Sequence, residues 1–176
     1  MDKQTEDVSA LVGAYPVCSQ CGISAVLRDA WAIWNNLTCA WELQATFDQY
    51  HCERCDAETQ IAWEIDEAFR KKRVRRLNDA LRRGEVMHGR IMITNGIESL
   101  GREACAAILR EIARFDRFTE DNDPHGEHDF GAFDQGDEKI FWKIDYYDRD
   151  LKGHSPDKAN PDVTERVLTI MLASEY

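Results

Sequence analysis

The sequence predicts an α+β protein: a small antiparallel zinc ribbon, then an α+β domain with a short antiparallel sheet and packed helices. Three observations carry that expectation. Two CxxC pairs, Cys18/Cys21 and Cys52/Cys55, bracket two stretches with partial alternation of apolar and polar residues. After Ile65 the apolar spacing changes to the helical one. Beyond Arg90, strand-like and helix-like segments follow each other through polar loops. Hydrophobic residues make up 43% of the 176, five of them tryptophan, so the chain has the material for a core.

Taken in order, residues up to Tyr15 read as a loose tail or a first short helix. Cys18-Ser-Gln-Cys21-Gly22 is the first knuckle, where glycine suits a tight turn whose backbone N–H groups point at thiolate sulfur. Residues 25–34 and 39–47 read as two strands joined at Asn35-Asn36, and Cys52-Glu-Arg-Cys55 brings the chain back to the first knuckle. A third short strand at 59–63 completes the sheet. The ribbon, with its tail, occupies residues 1–64, and the second domain occupies 65–176.

The second domain opens with a basic amphipathic helix. Ile65, Phe69, Leu77 and Leu81, with Ala68, Val74 and Ala80 nearby, form its apolar stripe, and Gly84 ends it. A strand at 90–94 closes at Asn95-Gly96, and 102–115 reads as a helix with Cys105, Ile108, Leu109, Ile112 and Phe115 inward. After a polar loop at 119–126, strands at 128–133 and 139–146 flank Gln135-Gly136-Asp137, with Ile140, Trp142, Ile144 and Tyr146 on one face. The chain is expected to finish in a helix, capped by Asn160, with Pro161 in its first turn and Asp162 complementing its dipole. Val163, Val167, Ile170 and Met171 form the buried stripe of that helix.

Three sets of residues carry chemistry. Cys18, Cys21, Cys52 and Cys55 supply four soft donors for one tetrahedral Zn²⁺, and four thiolates leave no position open for water, so the ion is structural. Cys39 and Cys105 lack a CxxC partner and read as small buried residues. Residues His125, Glu127, His128 and Asp129, joined by Asp145 and Asp148, could bind a divalent metal or move protons. The same segment also suits a tight turn whose polar side chains bond to their own backbone. Arg70, Lys71, Lys72, Arg73, Arg75 and Arg76, with Arg82 and Arg83 beyond them, form a basic helical run. There is no glycine-rich phosphate loop, no HExxH and no nucleophile elbow.

A formal charge of −11 disfavours tight non-specific binding to nucleic acid or to anionic bilayers. No apolar run approaches the ~20 residues that span a membrane, and the first residues are polar and acidic. A cytoplasmic protein without a membrane role is expected.

Two stretches resemble known families. Residues 18–59, with Arg28-Asp29-Ala30-Trp31-Ala32 between the CxxC pairs, resemble small zinc-ribbon-like modules of bacterial proteins. From about Val74 onward the chain resembles an uncharacterised proteobacterial family of unknown function. The motifs that carry this resemblance are GEHDFGAF at 126–133 (with the preceding 121–125), WKIDYYD at 142–148 and RVLTIMLASEY at 166–176. This resemblance implies no activity, but it does imply a gene carried by plasmids and other mobile elements.

The leading expectation is a non-enzymatic zinc-binding interaction protein that contacts a protein or nucleoprotein complex. Its sharper form is an inhibitor of a host nucleic-acid-processing or defence complex, of the anti-CRISPR or anti-restriction type, whose carboxylates oppose a nucleic-acid-binding surface. One rival is a metal-assisted hydrolase using His125, His128, Asp129 and Asp145. A second rival is a DNA-binding regulator that touches nucleic acid through the basic helix at 70–83.

Overall fold

The computed structural model describes residues 8–85 and 89–176. The chain divides into two compact units, Met1–Asp66 and Glu67–Tyr176. It is a mixed α+β structure with small sheets, three α-helices and a four-cysteine cluster in the first unit.

The first unit holds two small sheets. Strands β2 (Val26–Asn35) and β3 (Ala40–Cys52) form a long antiparallel hairpin, and β4 (Ala57–Thr59) pairs with the end of β3. Strand β1 (Ala14–Cys18) pairs antiparallel with β5 (Ile61–Ile65), so that Cys18 lies opposite Ile61. The expected tail or helix before Tyr15 is therefore a 3-10 turn at Val8–Ala10 followed by a strand, while residues 1–7 lie outside the described residues. The expected third strand is two strands belonging to different sheets, with Gln60 between them. The hairpin turn also falls later than Asn35-Asn36. Asn35 ends β2 and its Oδ1 accepts the Leu37 N–H at 2.8 Å, leaving 36–39 to reverse the chain. That places Cys39 in the turn at φ +51 and exposed, not buried as its residue type suggested.

In the second unit, α1 (Glu67–Arg82) ends as expected: Gly84 at φ +70 sends its N–H to Leu81 O while the Glu85 N–H reaches Ala80 O. The buried face is rotated from the expected stripe, because Val74, Asn78, Leu81 and Arg82 point inward, while Phe69 is exposed and Ile65 belongs to β5. Next come β6 (Arg90–Ile93), α2 (Asn95–Ser99), α3 (Arg102–Arg114), β7 (Phe130–Gln135), β8 (Glu138–Tyr147) and β9 (Glu165–Leu172). The sheet order is β6-β9-β8-β7, with β6 parallel to β9 and the other pairs antiparallel. Asn95-Gly96, expected to close a strand, opens α2, and Leu109, expected inward on α3, is exposed.

The main correction is β9. Residues 165–172 form a strand flanked by β6 and β8, not the second half of a terminal helix. The Asn160 side chain does accept an N–H two residues on, from Asp162 at 3.0 Å, but it closes a turn and no helix follows. Val167, Leu168, Ile170 and Met171 are all buried, so this strand is covered on both faces and shows no alternation. The core lies between the sheet and the helices: Ile140, Trp142, Ile144, Leu168 and Ile170 meet Ile97, Ile108 and Ile112. Gly131 pairs with Trp142 across β7 and β8, and a Cβ on it would fall 2.6 Å from the indole ring.

Candidate metal centre and the polar network

Both knuckles turn the chain so that sulfur faces sulfur. In the first, Gly22 takes φ +70 and returns its N–H to Cys18 O at 2.8 Å. In the second, Asp56 occupies the equivalent place at φ +50, a conformation that aspartate tolerates better than most side chains. The Cys55 N–H reaches Cys52 Sγ at 3.5 Å, and Cys21 Sγ lies 3.6 Å from Cys52 Sγ.

All four sulfur atoms lie within 4.8 Å of one another. Thiolates about 2.3 Å from a central ion in tetrahedral geometry stand roughly 3.8 Å apart, so the donor set fits a metal ion. Cys18 and Cys52 are buried, and Cys21 and Cys55 are partly covered.

The cluster's electrostatics suit a cation. The Thr59 hydroxyl, 3.1 Å from Cys18 Sγ, and the N–H groups of Cys21 and Gln20 lower the Cys18 thiol to about 6 against the opposing effect of burial. Hydrogen bonding with Cys21 and Cys52, then burial and the Cys18 charge, push the Cys55 thiol up to about 12. One thiolate forms readily and resists a second beside it, a repulsion that a divalent ion reverses. Thr59 is absent from the sequence-derived site; its position next to β5 gave no signal until the strands were paired.

The second candidate cluster does not converge on a metal. Among the described residues, the cysteines are the group of three or more His, Cys, Asp or Glu donors close enough to share an ion. His125 is exposed. Asp145 pairs with Lys143 at 2.8 Å, and Asp148 accepts the Lys152 N–H at 2.9 Å in a turn.

His128, at φ +57, is stacked on Phe118 with ring centroids 3.7 Å apart. Its Nδ1 lies 3.0 Å from Asp79 Oδ1 and its Nε2 lies 3.8 Å from Asp123 Oδ2, so both nitrogens face carboxylates of the fold. Asp123 in turn accepts the backbone N–H groups of Glu127 and His128 at 2.8 and 3.1 Å. Glu127 is buried and takes the Lys158 ammonium at 2.5 Å. Burial first, then the charges of Glu127 and Asp123, hold the Asp129 carboxyl above its ordinary range.

What the structure assembles is a polar network through the core edge. Asn78, fully buried, donates to Glu127 O at 2.9 Å and to Tyr146 Oη at 2.6 Å, and its Oδ1 accepts from Arg166 Nε at 3.2 Å. Arg82 donates to Ile112 O and Phe115 O, pairs with Asp79, and lies over the rings of Phe118 and Trp142. Burial would raise Asp79, but hydrogen bonds from Arg82 and His128 outweigh it and lower the carboxyl. Burial drives Tyr146 up and Arg166 down. Asn78, Asp79, Asp123, Lys158 and Arg166 carry no role in the sequence reading, which puts Arg82 on the exposed basic face of the helix. The available signal was polar: Asn78 and Arg82 recur four residues apart, in register with Val74, on the buried face of α1.

The basic run is divided by the same packing. Arg70 pairs with Asp157 at 3.0 Å and Arg73 donates to Ala159 O at 2.9 Å, which turns both into their own unit. Arg75 is half-buried, while Lys71, Lys72 and Arg76 are exposed.

Fold and site together define a two-unit α+β chain whose four-cysteine cluster is compatible with a structural metal ion. Residues 93–175, most of its second unit, are similar to a family described as "Protein of unknown function (DUF3768)". No curated protein and no solved structure matches the chain. No helix among the described residues is long and apolar enough to cross a membrane.

Proposed function

We propose that the chain is a non-enzymatic, zinc-binding interaction protein. In this reading one structural Zn²⁺ on Cys18, Cys21, Cys52 and Cys55 secures the base of the β2–β3 hairpin, and the hairpin makes the contact. The observation that carries this is the hairpin itself, whose large apolar side chains Trp31, Ile33, Trp34, Leu37, Trp41 and Leu43 are exposed. Monomeric proteins seldom leave so many large apolar side chains of one hairpin uncovered without a partner. The occupied nitrogens of His128 and the separate pairing of Asp145 support a structural role for the segment that a hydrolase would use.

The net charge of −11 supports a sharper form of the reading: a mobile-element-encoded inhibitor of a host nucleic-acid-processing or defence complex, acting in the cytoplasm. Elemental analysis of the wild type and of a Cys52→Ser/Cys55→Ser variant tests the metal and the rival together. One zinc per chain, lost in the variant, is expected. A second metal that survives the substitution would move the assignment to a hydrolase.

A further inference from the structure

On the interaction reading above, the hairpin face needs an occupant, and its size, order and charge define one. The β2–β3 register sets Trp34 opposite Trp41 and Ala32 opposite Leu43, so these side chains share one face, while Trp31, opposite Ala45 beyond a register shift, points to the other. Trp31 also meets Phe47 edge-on at 4.9 Å, and Trp34 meets Trp41 edge-on at 5.7 Å. These contacts hold the rings in fixed positions while their outer surfaces stay in water. Exposure is 65% for Trp31, 45% for Trp34, 70% for Trp41, 68% for Leu43 and 36% for Phe47.

With about 250 Å² for each indole side chain, Trp34 and Trp41 leave roughly 290 Å² of apolar surface uncovered on their face. Leu43 brings that face to about 400 Å². That is the size of the largest patch on an ordinary monomer, ~300–600 Å², a patch that is often functional. It supplies about half of the ~800 Å² that each partner contributes to a standard interface.

The surroundings are acidic. Residues 1–66 hold eleven acidic and three basic side chains, a net charge near −8. On the hairpin, Arg28 is already paired with Asp48 at 2.6 Å. Glu42 is kept ionised by hydrogen bonds from Asn35 and then Thr38. A second copy would bring its own charge of −8 against this one, and the phosphates of nucleic acid or an anionic bilayer are repelled in the same way. An apolar surface flanked by cations is both complementary and steered toward the face.

We propose that the hairpin face docks into an apolar groove of another protein that is rimmed by lysine and arginine side chains. The test uses the full metal-loaded chain and two synthetic five-turn amphipathic peptides, one of leucine and lysine, the other of leucine and glutamate. Calorimetric titration at low and high salt should show binding of the lysine peptide, weakening with salt, and none of the glutamate peptide. Trp34→Ser/Trp41→Ser should weaken that binding roughly tenfold or more. Leu43→Gln, a milder change, should weaken it in the same direction, and both variants should keep their metal.

Equal binding of the glutamate peptide overturns the charge assignment while leaving the interaction face standing. Binding of the lysine peptide that ignores all three substitutions shows attraction by charge alone, and it removes the interaction reading as well. Binding of neither peptide overturns the proposal. A dimer seen by sedimentation and lost in the variants assigns the face to a second copy. Tryptophan-dependent uptake by phosphatidylcholine vesicles assigns it to a bilayer; either result overturns the proposal.

Discussion

Removing the metal should unfold the first unit and spare the second. Among the described residues of Met1–Asp66, the buried ones are Val17, Cys18, Cys52 and Thr59, and two of these are cluster sulfurs. Burying one valine contributes about 1.5–3 kcal/mol, far from enough to hold two long strands in place. A structural zinc site contributes an apparent ~10–16 kcal/mol at neutral pH, as much as the whole net stability of a typical domain, ~5–15 kcal/mol.

The second unit has its own core in Ile97, Ile108, Ile112, Trp142 and Ile170, and does not depend on that ion. Indole N–H resonances provide the assay, because Trp31, Trp34, Trp41 and Trp63 report on the first unit and Trp142 on the second. A strong chelator should collapse the first four signals toward random-coil positions and leave Trp142 in place. Lowering the pH should do the same, since protons compete with the metal for thiolates. Five dispersed indole signals in demonstrably metal-free protein would refute the reasoning.

Three further outcomes follow from the second unit. Asn78→Leu leaves Glu127 O, Tyr146 Oη and Arg166 Nε without their buried partner, so it should cost about 3–5 kcal/mol in urea unfolding read at Trp142; a loss below ~1 kcal/mol would contradict the network. Gly131→Ala places a methyl 2.6 Å from the Trp142 ring and should cost ~1–3 kcal/mol with a displaced Trp142 indole signal; an unchanged signal would count against that packing. Asp129 has a folded pKa raised above its unfolded value, so its contribution is favourable in acid and lost as pH rises through the folded value. Asp129→Asn should therefore raise the melting temperature at neutral pH and not in acid, and a fall at neutral pH would sink the assignment.

The cysteine cluster was legible in the sequence because CxxC spacing is a local geometric requirement, satisfied before any strand pairing is known. The helix at 67–82 was legible in type but not in orientation. Its buried face includes Asn78 and Arg82, which a reading by hydrophobicity assigns to solvent, and their partners are distant in sequence: Glu127, Tyr146 and Arg166 for Asn78, Ile112 and Phe115 for Arg82. The strand at 165–172 was hidden for a related reason. Buried on both faces, it shows apolar residues without alternation, broken by Thr169, and they fit helical spacing at 163, 167, 170 and 171 as well as they fit a strand. Its place between β6 and β8 is a property of the sheet, not of the segment.

The exposed hairpin and the small core of its unit have one physical explanation. Tryptophans 31, 34 and 41 are the residues that a domain of this size would ordinarily bury to become stable. Such a module can display them only if something else holds its strands, and here the cysteine cluster at the base of the hairpin can do that. Metal ligation by the cluster would use four short side chains at one end and leave both faces of the hairpin available, whereas a hydrophobic core would consume one face. On the proposed reading an apolar contact surface and a metal centre are coupled: loss of the ion should abolish binding at the face, while loss of the tryptophans should leave the ion in place. That asymmetry separates a metal that scaffolds an interaction from one that merely accompanies it.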